Sequence, residues 1–101
     1  MRAEDVPRSG PWLQMFGIFD VKVGTYGPIF FARSKQEGAR LFWDMVADPQ
    51  TAVNRHPDDY RLFHLGEIDV SSGKYEAQAN GPALWEEGSA VKAELERKEA
   101  K

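Results

Sequence analysis

The stretch NRHPDDYRLFHLGEID, from Asn54 to Asp69, joins a turn signal directly to an alternating hydrophobic run. Residues 56–59 are His-Pro-Asp-Asp, a composition that favours a tight turn. From Tyr60 onward, one set of side chains (Tyr60, Leu62, His64) alternates with another (Arg61, Phe63, Leu65), which is the period of a strand. Gly66 interrupts this run and indicates a bulge before the strand continues to Val70. The stretch therefore predicts a proline-directed turn that leads into a strand.

Two further strands are predicted before this stretch. Residues 14–23 alternate, residues 24–28 form a turn rich in glycine and proline, and residues 29–33 form a second short strand. So short a link favours an antiparallel hairpin. The side of the first strand that we expect to face the helix carries Met15, Phe19, Val21 and Val23. The opposite side carries Gln14, Phe16, Ile18, Asp20 and Lys22.

The segment after the hairpin has the start and stop signals of a helix. Ser34 and Glu37 have capping-box spacing, in which each side chain satisfies a backbone N–H of the other. Asp48 precedes Pro49, and the residue before a proline avoids the helical region. Between these ends lies one apolar stripe at helical spacing, formed by Ala39, Phe42, Trp43 and Val46.

The remaining elements complete an α+β fold with an antiparallel sheet of about four strands, in the order ββαββ. Residues 71–73 form a hairpin turn and residues 74–79 a returning strand. The capped helix is expected to cover one face of the sheet. We divide the chain into an irregular arm at 1–12, one domain at 13–82, and a helix-prone C-terminal tail at 83–101, whose last turns should fray.

Composition narrows the classes of protein. The chain has 101 residues, which suits a single core, and 13 Lys and Arg against 16 Asp and Glu give a net charge of −3. This balance excludes indiscriminate phosphate binding, so any contact with nucleic acid must be local. The chain has no cysteine, signal peptide or apolar span, and we expect a cytoplasmic protein that makes no membrane contact.

The residues do not indicate catalysis. His56 and His64 lack the spacing of metal ligands, and the adjacent Asp58 and Asp59 are more typical of a turn than of acid–base chemistry. The serines lie in an arm, a helix cap, a turn and the tail, where no base is expected beside them. We therefore expect a protein that is not an enzyme and that binds no metal and no cofactor.

Aromatic residues on the second face of the sheet need an explanation, since one helix covers only one face. Interleaved aromatic and basic side chains on an open sheet are typical of proteins that stack and hold single-stranded nucleic acid. The aromatic candidates are Phe16, Phe31, Phe63 and Tyr75, and the basic ones are Lys22, Arg33, Arg61 and Lys74. Two alternatives stay open: the tail helix covers this face through Trp85, Val91 and Leu95, or a second subunit does.

The order of several motifs resembles the small nonstructural protein of gokushovirus-type microviruses, which are single-stranded DNA phages. The match covers roughly residues 15–75, and its last motif is the Ser72-Gly73 turn. Its motifs are Ile18-Phe19-Asp20, Pro28 with Phe30-Phe31, Val46-Ala47-Asp48-Pro49, His56-Pro57-Asp58-Asp59-Tyr60 and Leu62-Phe63-His64-Leu65-Gly66. The N-terminal arm and the acidic tail depart from the family pattern.

The resemblance implies a phage protein of the host cytoplasm, absent from the virion, that binds DNA when replication turns to single-stranded genomes. We expect it to bind single-stranded DNA, with candidate contacts at Lys22, Arg33, Arg55, His56, Arg61 and Lys74. We also expect a homodimer, through the second sheet face or a sheet edge. If the dimer uses the face, DNA would bind at a rim near residues 54–60, where Arg33, Arg55, His56 and Arg61 would cluster. The alternative is a protein-interaction factor that modulates a replication initiator or host replisome protein without touching DNA.

Overall fold

The structure is a computed structural model and describes residues 12–99. Strands dominate its first and middle parts, and helices fill the gaps between them. The strands are β1 (Trp12–Asp20), β2 (Thr25–Ala32), β3 (Tyr60–Asp69), β4 (Tyr75–Ala77) and β5 (Ala83–Glu87). The helices are α1 (Lys35–Ala47), α2 (Ala52–Arg55) and α3 (Gly88–Glu99), with a 3-10 turn at Pro57–Asp59. The predicted α+β class is confirmed.

The strands form one antiparallel sheet in the order β2-β1-β3-β4, with β5 also paired to β3. β3 is therefore the central strand: it pairs with β1 along one side, and with β4 and β5 along the other. The predicted turn at His56-Pro57-Asp58-Asp59 is the 3-10 turn, and β3 begins at Tyr60 directly after it. The sheet contains one strand more than the sequence predicts, because β5 lies in the segment expected to be a helical tail.

Both long helices pack on the same face of the sheet. Phe16 and Ile18 of β1, Leu62 of β3, Phe42 of α1 and Val91 of α3 are almost completely buried in one cluster. Helix α1 packs so closely that the Phe16 ring occupies the space where a side chain at residue 38 would lie, which explains the glycine there. The core therefore lies between this sheet face and the helical layer.

The predicted orientation of β1 is wrong. Phe16 and Ile18 face the helices, whereas Met15 and Phe19 point to the other side. Both sides of this strand are apolar, so alternation alone does not indicate which one is buried. Val21 and Val23 lie in the turn after the strand, and Asp20 shapes that turn by accepting backbone N–H bonds from Lys22 and Val23.

The predicted α1 boundaries are confirmed, with Ser34 as N-cap and Asp48 as C-cap. The Ser34 hydroxyl accepts the Glu37 N–H at 3.1 Å. The Glu37 carboxylate, however, accepts the backbone N–H of Arg33 at 3.0 Å rather than that of the cap itself. The carboxylate thus secures the junction between β2 and α1 one residue earlier than a standard capping box would.

The segment treated as a tail is integral to the fold as far as Glu99. β5 pairs with the first half of β3, and α3 places Val91, 1% exposed, in the core. Trp85 and Leu95 pack against the same cluster. The predicted arm at 1–12 overlaps the described residues only at Trp12, which begins β1; residues 1–11 lie outside them.

Candidate nucleic-acid interface

The sheet face opposite the helices, called the open face below, is lined almost entirely by apolar side chains. Within residues 12–99, nothing covers it, because α1 and α3 both pack on the other side. Tyr75, Ile29, Phe31 and Leu84 are each about half exposed, at 48%, 47%, 46% and 50%. Register and alternation place these side chains on the open face: Leu13, Met15, Phe19, Tyr26, Ile29, Phe31, Phe63, Leu65, Ile68, Tyr75 and Leu84.

Three aromatic rings form a cluster on this face. Phe19 of β1, Tyr26 of β2 and Phe63 of β3 make edge-to-face contacts, with ring centroids 5.1 to 6.2 Å apart. Gly17 lies beneath them, and a Cβ there would come within 2.9 Å of Tyr26, Ile29 and Leu65 side-chain atoms. Burial raises the pKa of the Tyr26 phenol above its ordinary value. The cluster spans three neighbouring strands, β2, β1 and β3.

The sequence predicts only part of this surface. Phe31, Phe63 and Tyr75 lie on the second face as predicted, whereas Phe16 belongs to the core. Phe19 was expected to face the helix, and Tyr26 was placed in a turn. Alternation within a longer β2 would have indicated Tyr26 and Ile29. Leu84 had no signal, because a strand in that segment was not predicted.

Two of the predicted basic residues lie at one end of the open face. Arg61, near the start of β3, is exposed and is the cross-strand neighbour of both Phe19 and Glu87. Lys22 lies in the turn between β1 and β2, and Val21 N–H donates to the Asp59 carbonyl at 2.9 Å, which ties this turn to the 3-10 turn. Arg61 and Lys22 thus border the aromatic cluster on the same side.

Arg33 and Lys74 lie at the opposite end of the sheet. Since β2 and β3 run in the same direction on either side of β1, the end of β2 lies with the end of β3. Arg33 follows β2, is 87% exposed, and pairs with Glu37 at 3.4 Å. Lys74 follows the Ser71–Gly73 turn after β3. The expected cluster of Arg33 with Arg55, His56 and Arg61 is therefore wrong: the length of the sheet separates Arg33 from the 54–60 segment.

Arg55 and His56 belong to the helical side of the molecule. Arg55 ends α2, and its guanidinium donates to the Pro49 carbonyl at 3.4 Å. His56 is exposed, and its backbone links α2 to the 3-10 turn: its N–H donates to Ala52 and its carbonyl accepts from Asp59. The structure brings these two residues close to the start of β3, but not onto the open face.

Other cations are held on the helical layer by tryptophan rings. Lys35 lies 5.8 Å from the centre of the Trp85 ring, and Lys98 lies 5.5 Å from that of Trp43. Such contacts stabilise a cation over an aromatic face. Burial raises the pKa of the nearby Glu86 carboxyl, and a hydrogen bond from Trp43 partly opposes this. The tryptophan rings of the helical layer therefore have a structural role.

His64, one of the two histidines considered as metal ligands, is buried in a polar network. Its Nε2 lies 2.8 Å from Gln14 Oε1, and its Nδ1 contacts Gln78 Oε1. In the part of the chain that the structure describes, no three His, Asp or Glu side chains are grouped closely enough to hold a metal ion. No helix between residues 12 and 99 is long and apolar enough to cross a membrane.

Comparison with known proteins gives one family match. The model of the Phage ORF5 protein family matches residues 13–91, which is more than three-quarters of the chain and includes β2 to β5, all of β1 except Trp12, the whole of α1 and the start of α3. No curated protein and no solved structure matches the chain. Because the match extends over most of the sequence and over the whole core, this chain belongs to the Phage ORF5 protein family.

Proposed function

We propose that this phage protein is a non-enzymatic nonstructural protein that binds single-stranded DNA on its open face. The observation that carries the proposal is the aromatic cluster of Phe19, Tyr26 and Phe63 across β1, β2 and β3, which nothing within residues 12–99 covers because both long helices lie on the other side. RNA-recognition motifs use the same arrangement, in which bases stack on aromatic rings of an open sheet. This analogy concerns the layout of the site and not ancestry.

Phosphate contacts would come from the perimeter. Bases stacked on the central rings would place the backbone along the ends of the sheet, where Arg61 and Lys22 lie at one end and Lys74 at the other. A few local cations are enough for a single strand, because stacking supplies much of the affinity. The net charge of −3 is compatible with such a site, since the site needs only these local cations.

The biological role that we propose follows from the resemblance to gokushovirus-type microviruses. The protein would act in the host cytoplasm and support the synthesis of single-stranded genomes by holding the strand as it is made. A homodimer is part of this proposal. No metal or other cofactor is required, because stacking and ion pairing need none.

A protein-interaction factor is the second candidate function. It is favoured by one observation: within the described open face, Arg61 and Glu87 are the only charged side chains, and they are cross-strand neighbours of opposite sign. A partner with an apolar patch, such as a replication initiator or a replisome protein, would fit this surface as well.

Fluorescence anisotropy with labelled oligonucleotides tests the proposal. Single-stranded DNA should bind more tightly than duplex DNA, and affinity should fall as salt is raised. Phe63→Leu keeps the apolar surface but removes a ring, so affinity should drop roughly 5- to 150-fold, as expected for the loss of one stacked base. Leu41→Gln, on the exposed side of α1, is the matched control. No binding at low salt would exclude the DNA-binding function and leave the interaction factor.

A further inference from the structure

The open face is unusually apolar for a surface that water would contact whenever DNA is absent. Ile29 and Phe31 on β2 and Leu84 on β5 are about half exposed. Apolar side chains of β1 and β3 lie between them, so the patch is continuous across the sheet. Soluble monomers rarely expose large contiguous apolar patches, and such patches commonly mark an interface. Something should therefore cover this face in the DNA-free protein.

Pairing of sheet edges is not a good solution. Pro28 lies within the outer strand β2, and it has no N–H to donate to an added strand. The register between β1 and β2 also shifts between Gly17 and Phe19, which distorts the edge. On the other side, β4 and β5 are only three and five residues long. Natural proteins use these same features to block edge-to-edge association.

A second copy of the open face is electrostatically suited to the first. Among residues 12–99, the charged side chains on this face are Arg61 and Glu87, neighbours of opposite sign at one end of it. A two-fold axis brings the same surface of each copy together. Each open face then contacts an apolar surface that is neutral overall and has no unmatched charge at its centre. Nucleic acid, by contrast, brings a charge for every phosphate and finds cations only at the perimeter.

We infer that two copies of the DNA-free protein bury their open faces against each other, and that single-stranded DNA competes with this contact. The inference rests on the proposed function and adds a form of regulation to it. Each DNA-binding surface is hidden in the dimer and is exposed when the dimer dissociates. The protein is therefore a dimer when no DNA is bound. When one chain binds a single strand, the dimer dissociates and that chain stays on the DNA.

The test combines mass and affinity measurements. At micromolar concentration, light scattering should give about twice the chain mass of 11.4 kDa. An excess of an oligothymidine of about six nucleotides, near the lower limit of known site sizes, should convert this to complexes with one chain each. The double variant Ile29→Gln/Leu84→Gln removes apolar contact but no aromatic ring. It should be monomeric at the same concentration.

Leu41→Gln on α1 makes the same chemical change on the helical side and should remain a dimer. A natural chain of 11.4 kDa at micromolar concentration would overturn the inference but leave the proposed function standing. Two chains per short oligonucleotide would overturn the competition. A dimer that is disrupted by the double variant but binds no DNA would overturn the proposed function and with it the competition, leaving only the self-association.

Discussion

A buried histidine connects three segments of the sheet. His64 is only 4% exposed, and its two ring nitrogens contact amide oxygens of Gln14 on β1 and Gln78 after β4. Gln14 is oriented by its own donation to Glu67 Oε2 at 3.0 Å, so its oxygen faces the ring. His64, whose spacing from His56 does not predict a metal site, thus links these three segments through buried polar contacts.

Stability should decrease as the pH falls below about 6.5, the ordinary pKa of histidine. Burial lowers the pKa of His64 in the folded protein, although the Gln78 hydrogen bond partly opposes this. Below the unfolded-state value, the unfolded chain takes up a proton that the buried ring resists, so protonation favours unfolding until the folded-state pKa is reached. Thermal melts between pH 5 and pH 7.5 measure the effect.

The matched variants for this experiment are His64→Gln and His56→Gln. His64→Gln should be less stable at neutral pH, because it disrupts the buried network, and its melting temperature should change less between pH 6.5 and pH 5. His56 is exposed, so His56→Gln should keep the slope of the natural chain. Equal slopes in the natural chain and the His64→Gln variant would assign the acid sensitivity to other groups.

At the scale of elements, the sequence predicted those helix boundaries and turns that depend on residues close together in the chain. Ser34 and Pro49 bound α1 through backbone chemistry, and the structure ends the helix where these residues require. The face that β1 buries could not be predicted, since it depends on which side the helices pack against. β5 was missed because Glu86 and Glu87 make that segment resemble the start of the charged helix that follows.

Helix α3 should contribute substantially to stability, because it places an apolar side chain in the core. Val91→Ala removes two methyl groups from a side chain that is 1% exposed, and should cost about 2 kcal/mol. For a domain of this size the melting temperature should fall by roughly 8–16 °C. Val23→Ala is the same substitution at a turn position that is 69% exposed, and should change stability by less than about 0.5 kcal/mol. Equal losses in the two variants would contradict the assignment of α3 to the core.

At the scale of the whole molecule, charge and apolar surface are segregated. The open face carries Arg61 and Glu87 at its margin, while Lys35, Arg55 and Lys98 lie with the helices. Net charge and composition are sums over the chain and do not report this distribution. The candidate DNA contacts could therefore be named from the sequence, but their division between two ends of the sheet and the helical side required the topology.

Arg61 and Arg55 should differ in their effect on DNA binding. Arg61→Gln removes a cation at the edge of the aromatic cluster, so affinity for single-stranded DNA should fall roughly tenfold at low salt, and the salt slope should decrease by about 0.7. Arg55→Gln removes a guanidinium that points to the helical side, and should leave both quantities unchanged. Anisotropy titrations over a salt series measure them. A larger effect at Arg55 would move the site to the rim near residues 54–60.

The central position of β3 also determines when this protein can fold during synthesis. β3 supplies the partner for β1, β4 and β5, yet its residues follow the hairpin and α1 in the chain. The core cluster around Phe16 and Phe42 is therefore complete only after Leu62 and finally Val91 have been synthesised. Such long-range pairing gives a high contact order, which slows folding. A nascent chain should gain protease resistance in one late step, only after α3 has left the ribosome.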